Sequence, residues 1–197
     1  VTPTTPPSSP PSPPTTVVAA ATAADNYYQL VSTPTEFQNI NNDLAKNYML
    51  ANDIDFTDPA THAAGEITPI GGNTIGTTTY PAYSGKFDGN FFRVQNFKVT
   101  KPALERAGLF GELNNAQIYN LGVTGATVTG DTSRGTSRAG GVAGYSYGGT
   151  SFLNVYIKNS TINGLDGYHG GLIGYTTNTT MDSVYSKATI GEGGGII

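Results

Sequence analysis

The chain has 197 residues, with 26 Gly, 12 Pro and no Cys; 12% of its residues are charged and the formal net charge is −4. Without cysteine there is no disulfide frame and no thiolate metal site, and without a Lys/Arg run nothing is present to hold nucleic acid or an acidic membrane surface. No apolar stretch reaches the roughly 18 residues that a membrane span requires.

Proline crowds the N-terminus and glycine rises through the second half. Residues 1–24 begin VTPTTPPSSPPSPPTT, where Pro6, Pro7, Pro10, Pro11, Pro13 and Pro14 remove backbone donors and fix φ. The segment is expected to form an extended polyproline II stalk or linker. In composition it resembles the Ser/Pro and Thr/Pro stalks of secreted, hydroxyproline-rich glycoproteins, which implies a role in assembly. Both ends of the chain read as cuts, Val1 without a Met and Ile197 inside a repeat, with a signal peptide expected upstream.

Residues 25–106 read as an N-terminal cap and the first coils. Thr33-Pro34-Thr35-Glu36 is a capping box with proline at the first helical position, and Phe37, Ile40 and Leu44 follow at helical spacing. The spacing predicts a helix over Pro34 to Ala45. Alternation predicts a strand from Tyr48 to Phe56, then a Pro/Gly/Thr loop to Pro81, a tight turn at Asp88-Gly89 and a strand from Phe91 to Val99.

Residues 107–197 are repetitive. Gly108-Leu109-Phe110-Gly111, Gly141-Val142-Ala143-Gly144 and Gly171-Leu172-Ile173-Gly174 share one phrase, and a fourth copy starts at Gly195. Aligning the copies places Asn120-Leu121-Gly122-Val123 on Asn154-Val155-Tyr156-Ile157 and on Ser183-Val184-Tyr185-Ser186. A third short strand follows in each, at Ala126-Thr127-Val128, Ser160-Thr161-Ile162 and Ala188-Thr189-Ile190. Repeats too small to bury their own apolar face must stack on their neighbours. Three short strands per unit describe one coil of a parallel β-helix.

In this order, the phrases Tyr48-Met-Leu-Ala-Asn-Asp-Ile-Asp-Phe, Ile67-Thr-Pro-Ile-Gly, Tyr83-Ser-Gly-Lys-Phe-Asp-Gly-Asn and Ala107-Gly-Leu-Phe-Gly resemble the start of GLUG-motif proteins. Those are secreted or surface repeat proteins, including adhesins and accessory regions of immunoglobulin A proteases. The resemblance implies an all-β, right-handed parallel β-helix, and no catalytic residue transfers with it. The loop Asp131 to Arg138 and the Val at Gly141-Val-Ala-Gly depart from the pattern.

Each chemical motif has a structural reading beside it. Gly144-Tyr145-Ser146-Tyr147-Gly148 fits a G-x-S-x-G elbow, but a strand follows where that motif needs a helix, so it reads as a turn between coils. His62 and His169 read as solvent-facing loop residues rather than a metal pair. Asp53, Asp55 and Asp58 form a set that either binds calcium or closes turns on the local backbone. The acids Glu112, Asp131, Asp166, Asp182 and Glu192 fall at unrelated repeat positions, which disfavours a carbohydrate-cleaving site. Asn159 and Asn178 head N-x-[ST] sequons, candidate N-glycosylation sites.

Tyr145 aligns with Tyr175, and Tyr156 with Tyr185, predicting tyrosine ladders that serve as an assembly or sugar-stacking face. A single Thr127-Val128-Thr129 is too little for an ice-binding ladder. These observations predict a non-enzymatic extracellular or cell-surface protein, structural or adhesive, without cofactor or metal. It is expected to assemble as a filament or appendage subunit with copies of itself or other subunits, and glycans are a further candidate partner. The alternative is a carbohydrate-binding or carbohydrate-cleaving β-helix.

Overall fold

The computed structural model describes residues 27–57, 65–75, 78–100, 104–131, 137–164 and 167–191. The proline stalk, His62, Asp58, Asp166, Glu192 and the fourth repeat at Gly195 lie outside the described residues.

The chain opens with β1 (Gln29–Val31), helix α1 (Pro34–Gln38), a 3₁₀ turn (Asn39–Asn42), β2 (Tyr48–Leu50) and β3 (Ile54–Asp55). A small antiparallel pair follows, β4 (Thr74–Ile75) and β5 (Thr78–Thr79), and then β6 (Lys86–Asp88), β7 (Arg93–Gln95) and β8 (Lys98–Val99). The first repeat holds β9 (Arg106–Ala107), β10 (Phe110–Asn114), β11 (Gln117–Thr124) and β12 (Thr127–Thr129). The second holds β13 (Arg138–Gly140), β14 (Ala143–Tyr147) and the long β15 (Thr150–Asn163). The third holds β16 (Tyr168–Gly170), β17 (Ile173–Thr176), β18 (Thr179–Asp182) and β19 (Tyr185–Ile190).

Apart from β4 with β5, every strand pair is parallel, and the chain is a β-solenoid in which each strand lies on its counterpart in the preceding coil. The sequence alignment of the repeats is the structural register: Gly122 pairs with Tyr156 and Tyr156 with Tyr185, while Thr127 pairs with Thr161 and Thr161 with Thr189. Inward columns run through successive coils, one of Tyr48, Phe87, Ile118 and Phe152 and another of Ile54, Val94, Val123 and Ile157. One apolar core extends from Val31 to Ile173.

The N-terminal end of that core is aromatic. Phe37 on α1 meets Phe56 and Phe87 edge-on, with ring centroids 5.8 and 5.9 Å apart, and all three are fully buried. The capping box is formed as expected: Thr33 accepts from the Glu36 amide at 3.1 Å, and the Glu36 carboxylate accepts from the Thr33 amide at 3.2 Å. The helix ends sooner than its spacing predicts. From Asn39 the run Asn-Ile-Asn-Asn competes for its own backbone and tightens to 3₁₀ geometry, although Ile40 and Leu44 remain in the core.

Both N-terminal strand predictions also break in the middle. Tyr48 to Phe56 bends at Ala51-Asn52 into two strands, and Phe91 to Val99 is interrupted at Asn96, whose φ is +58°. Asn96 belongs to a general rule of this fold. The coil corners are turned by residues in the left-handed region: Asn120, Asn154 and Ser183 at one corner, Asn96, Gly125 and Asn159 at a second, Asn115, Gly148 and Asn178 at a third. Asparagine enters this region more readily than other side-chain-bearing residues because its short amide bonds locally. Here the amides also bond between coils, Asn154 Nδ2 donating to Asn120 Oδ1 at 3.1 Å and Asn120 Nδ2 to Asp88 Oδ1 at 3.2 Å.

Replacing Asn154 tests this corner. Asn154→Val is expected to cost about 1–2 kcal/mol from the left-handed backbone alone, and Asn154→Gly distinctly less; urea unfolding of the two variants measures the difference.

Candidate functional site: a tyrosine and arginine platform

The Gly-x-x-Gly phrase determines how the surface is built. Between its glycines the chain turns sharply from the β9-β13-β16 sheet into the β10-β14-β17 sheet, and the two backbones meet without a side chain between them. A Cβ on Gly144 would lie 2.8 Å from the Ala107 nitrogen and 2.9 Å from the Arg138 oxygen; one on Gly174 would lie 2.6 Å from the Ala139 nitrogen. Backbone contact of this kind brings the outward side chains of both sheets together.

Arg138 on β13 consequently lies over two rings of the neighbouring sheet. Its guanidinium carbon is 4.9 Å from the Tyr145 centroid and 5.4 Å from that of Tyr175. Tyr145 and Tyr175 are paired in register with centroids 5.5 Å apart. Tyr147 stacks on Tyr145 at 4.9 Å with an interplanar angle of 21°, and Tyr168 meets Tyr175 at 4.7 Å. Tyr168 is 50% exposed and the other three rings are half-buried.

Charges around the rings are matched in place. Arg138 Nη1 donates to Glu105 Oε1 at 2.8 Å, and Arg106 forms an ion pair with Glu112 at 3.1 Å whose N–H is not aligned for a hydrogen bond. Burial and the Glu112 carboxylate push the Tyr147 phenol above its ordinary pKa, so its hydroxyl stays protonated.

Not all of the predicted tyrosine face is brought together. Tyr156 and Tyr185 are in register on β15 and β19, a separate sheet from Tyr145 and Tyr175. Tyr156 is only 8% exposed because its ring covers Gly122 of the preceding coil, where any side chain would collide with it. Tyr147 and Tyr168 join the platform without having been predicted. Neither recurs as tyrosine in the repeat alignment, which is the signal the ladders were read from; the outward position of Tyr168 beside Arg138 in the register would have located it.

Other predicted residues serve the fold. Asp53 binds the Arg93 side chain and accepts from the Arg93 amide at 2.8 Å. Asp55 accepts from the Thr57 amide at 2.9 Å and from Asn96 Nδ2 at 3.0 Å, closing its turn. Among the described residues no group of three or more His, Asp or Glu could hold a metal ion. Ser146 of the G-x-S-x-G match is fully buried and bonds Thr179 Oγ1 at 2.9 Å. His169 is a correction: it is 4% exposed, because it follows Ala107 and Ala139 in an inward column and its ring fills the space left by Gly164. The sequon residues Asn159 and Asn178 are both exposed at left-handed corners. Thr127, Thr161 and Thr189 do form an outward ladder, but it is one residue wide, since Thr129 pairs with Asn163.

No protein-family model matches the chain. A stretch of 104 residues, 52% of the chain, is 35% identical to Halomucin from Haloquadratum walsbyi, and the match spans 1% of that protein's length. Among solved structures, a candidate immunoglobulin A1 protease from Bacteroides ovatus aligns with 85% of this chain and 68% of its own, at a TM-score of 0.47 and 15% identity.

Two predictions follow from this geometry. Gly144→Ala is expected to destabilise by about 1–3 kcal/mol, read as a lower urea midpoint, because the methyl meets backbone that cannot move independently. The second concerns two aspartates of opposite sign. Burial raises the Asp88 carboxyl above its ordinary pKa despite hydrogen bonds from Asn90 and Asn120; for Asp55, burial is outweighed by the bonds from Asn96 and Thr57, and its pKa is lowered. Ionised Asp88 therefore penalises the fold above its raised pKa, and the penalty is relieved as pH falls through that value toward about 4. Asp55 supplies stability above about pH 4 that is lost as pH falls through its lowered folded pKa. Asp88→Asn should raise the melting temperature at neutral pH and Asp55→Asn should lower it, both effects fading in acid; thermal melts across pH measure the crossover.

Proposed function

We propose that the chain is a non-catalytic structural and adhesive module of an extracellular or cell-surface protein, assembling end to end with copies of itself or with other subunits of a filament or appendage. The observation that supports this reading is coil-on-coil stacking, in which each coil presents its strands to a counterpart in register. In the last coil among the described residues, Met181, Ala188 and Ile190 are only half-buried, whereas the residues beneath them in register, Phe152, Ser160 and Ile162, are buried. A further coil laid on β18 and β19 would bury the same positions again and satisfy the edge, as repeat arrays do.

The employment of the acids supports a structural rather than a cleaving role. Glu36 caps a helix, Asp53 and Asp55 hold Arg93 and a turn, Glu66 binds Thr100, and Glu105 and Glu112 neutralise two arginines. Each of these carboxylates is engaged by a group of the chain itself, whereas a glycosidase pair must face its substrate. Partial similarity to Halomucin agrees with a surface location. No helix among the described residues is long and apolar enough to cross a membrane.

Analytical ultracentrifugation and negative-stain microscopy of the full chain test the proposal. Concentration-dependent linear assembly, reduced by Ile190→Lys and Met181→Lys while the melting temperature holds, is the expected result. A protein that stays monomeric at high concentration, with the two lysine variants behaving as wild type, would sink it.

A further inference from the structure

Asn159 and Asn178 differ from three other asparagines that turn the coils. Asn96, Asn120 and Asn154 are half-buried and commit their amides to bonds between coils, Asn96 Nδ2 to Asp55 at 3.0 Å, Asn120 Nδ2 to Asp88 at 3.2 Å and Asn154 Nδ2 to Asn120 at 3.1 Å. None of the three is followed two residues on by Ser or Thr. Asn159 and Asn178 are exposed, and each heads an acceptor sequence, Asn159-Ser160-Thr161 and Asn178-Thr179-Thr180. We infer that both carry N-linked glycans. This goes beyond the function proposed above, since it requires secretion and not assembly.

The register shows why these two amides face solvent. Asn159 lies on Gly125 of the preceding coil, between the pairs Thr124–Lys158 and Thr127–Thr161. It has no counterpart in the following coil, because Lys158 pairs with Lys187 and Ser160 with the very next residue, Ala188. Asn178 falls between the pairs Ser146–Thr176 and Thr150–Thr179, opposite Gly148 and Gly149. The Gly149 amide donates to the Asn178 carbonyl at 2.9 Å, which fixes the backbone and leaves the side chain outside. A glycine has no side chain to bond, so the amide ladder through Asn120 and Asn154 has no equivalent at these corners.

Attachment joins Asn Nδ2 to C1 of the first sugar. The donor is a polyisoprenyl diphosphate-linked oligosaccharide, whose diphosphate departs with the electron pair of the broken C1–O bond, while one Nδ2 proton passes to a base of the transferase. On Asn120 or Asn154 the sugar would have to fit between stacked coils about 4.8 Å apart. At Asn159 and Asn178 it projects from an exposed corner on the perimeter of the coil, and the stacking direction stays clear.

The full chain, secreted from eukaryotic cells behind a leader peptide, is treated with peptide N-glycosidase, which turns each occupied asparagine into aspartate. Tandem mass spectrometry then locates the converted positions. Asn159 and Asn178 are expected to be converted and the other asparagines untouched. Thr161→Val should abolish conversion at Asn159 alone and Thr180→Val at Asn178 alone, both keeping a β-branched residue in a strand. Should either variant fail to be secreted, Asn159→Gly or Asn178→Gly, which retains the left-handed corner, replaces it and should remove one glycan from the intact mass.

Secreted, folded protein with either asparagine unconverted overturns the inference. So does conversion at Asn159 or Asn178 that persists in its own threonine variant. Failure of end-to-end assembly with both glycans in place would overturn the assembly reading and leave this one standing.

Discussion

At Gly140, Gly144 and Gly174 backbone lies on backbone with no space for a methyl group, and the rest of the surface is arranged by that contact. It folds two of the parallel sheets sharply against each other, so Arg138 on one reaches rings on the other. A wider turn would leave the same residues on separate faces. The cost lies in the glycines themselves, whose conformational freedom is surrendered at each coil. Stacking offsets it, since every coil aligns the next and ladder hydrogen bonds add with each repeat.

A second consequence concerns polarity along the axis. The first end is sealed by an aromatic plug, Phe37, Phe56, Phe87 and Phe97, over which α1 lies, and Tyr83 carries its hydroxyl to the Lys46 and Lys86 carbonyls at 3.0 and 2.8 Å. Burial raises the Tyr83 phenol well above its ordinary pKa, so that hydroxyl is a permanent donor. Further along the stack the inward positions become smaller and more aliphatic, and at β18 and β19 they reach solvent.

What the sequence reveals depends on how local the cause is. Coil register was readable, because equivalent positions in successive repeats carry equivalent residues, and the pairing of Tyr145 with Tyr175 came with it. The capping box was readable for the same reason, since its partners are three residues apart. The helix end and the broken strands were not, because alternation cannot reveal a left-handed residue such as Asn96 in the middle of a β-rich run. His169 was misplaced because a histidine flanked by glycines looks like a turn, whereas its column, Ala107 and Ala139, places it inside. Of the platform, the ladder pair was visible, but the convergence of Tyr147, Tyr168 and Arg138 depends on how sharply the Gly-x-x-Gly phrase folds one sheet against the next, which the repeat alignment alone does not give.

The sequons show how two explanations can share one residue. Asn159 and Asn178 occupy corners with φ of +52° and +51°, where asparagine is favoured for backbone reasons. Behind each corner the chain returns to an outward strand, where β-branched threonine is favoured, and Thr161 and Thr180 take part in parallel ladders. Ser160, between Asn159 and Thr161, accepts from the Ala126 amide at 3.0 Å and donates to the Lys158 carbonyl at 2.9 Å. Asn-x-Thr at Asn159 and Asn178 is thus a pattern that a corner followed by a strand produces in this solenoid, whereas the corners at Asn96, Asn115, Asn120 and Asn154 lack the threonine. The same geometry leaves both asparagines exposed and facing outward, so a corner selected for its backbone also presents a side chain open to glycan attachment.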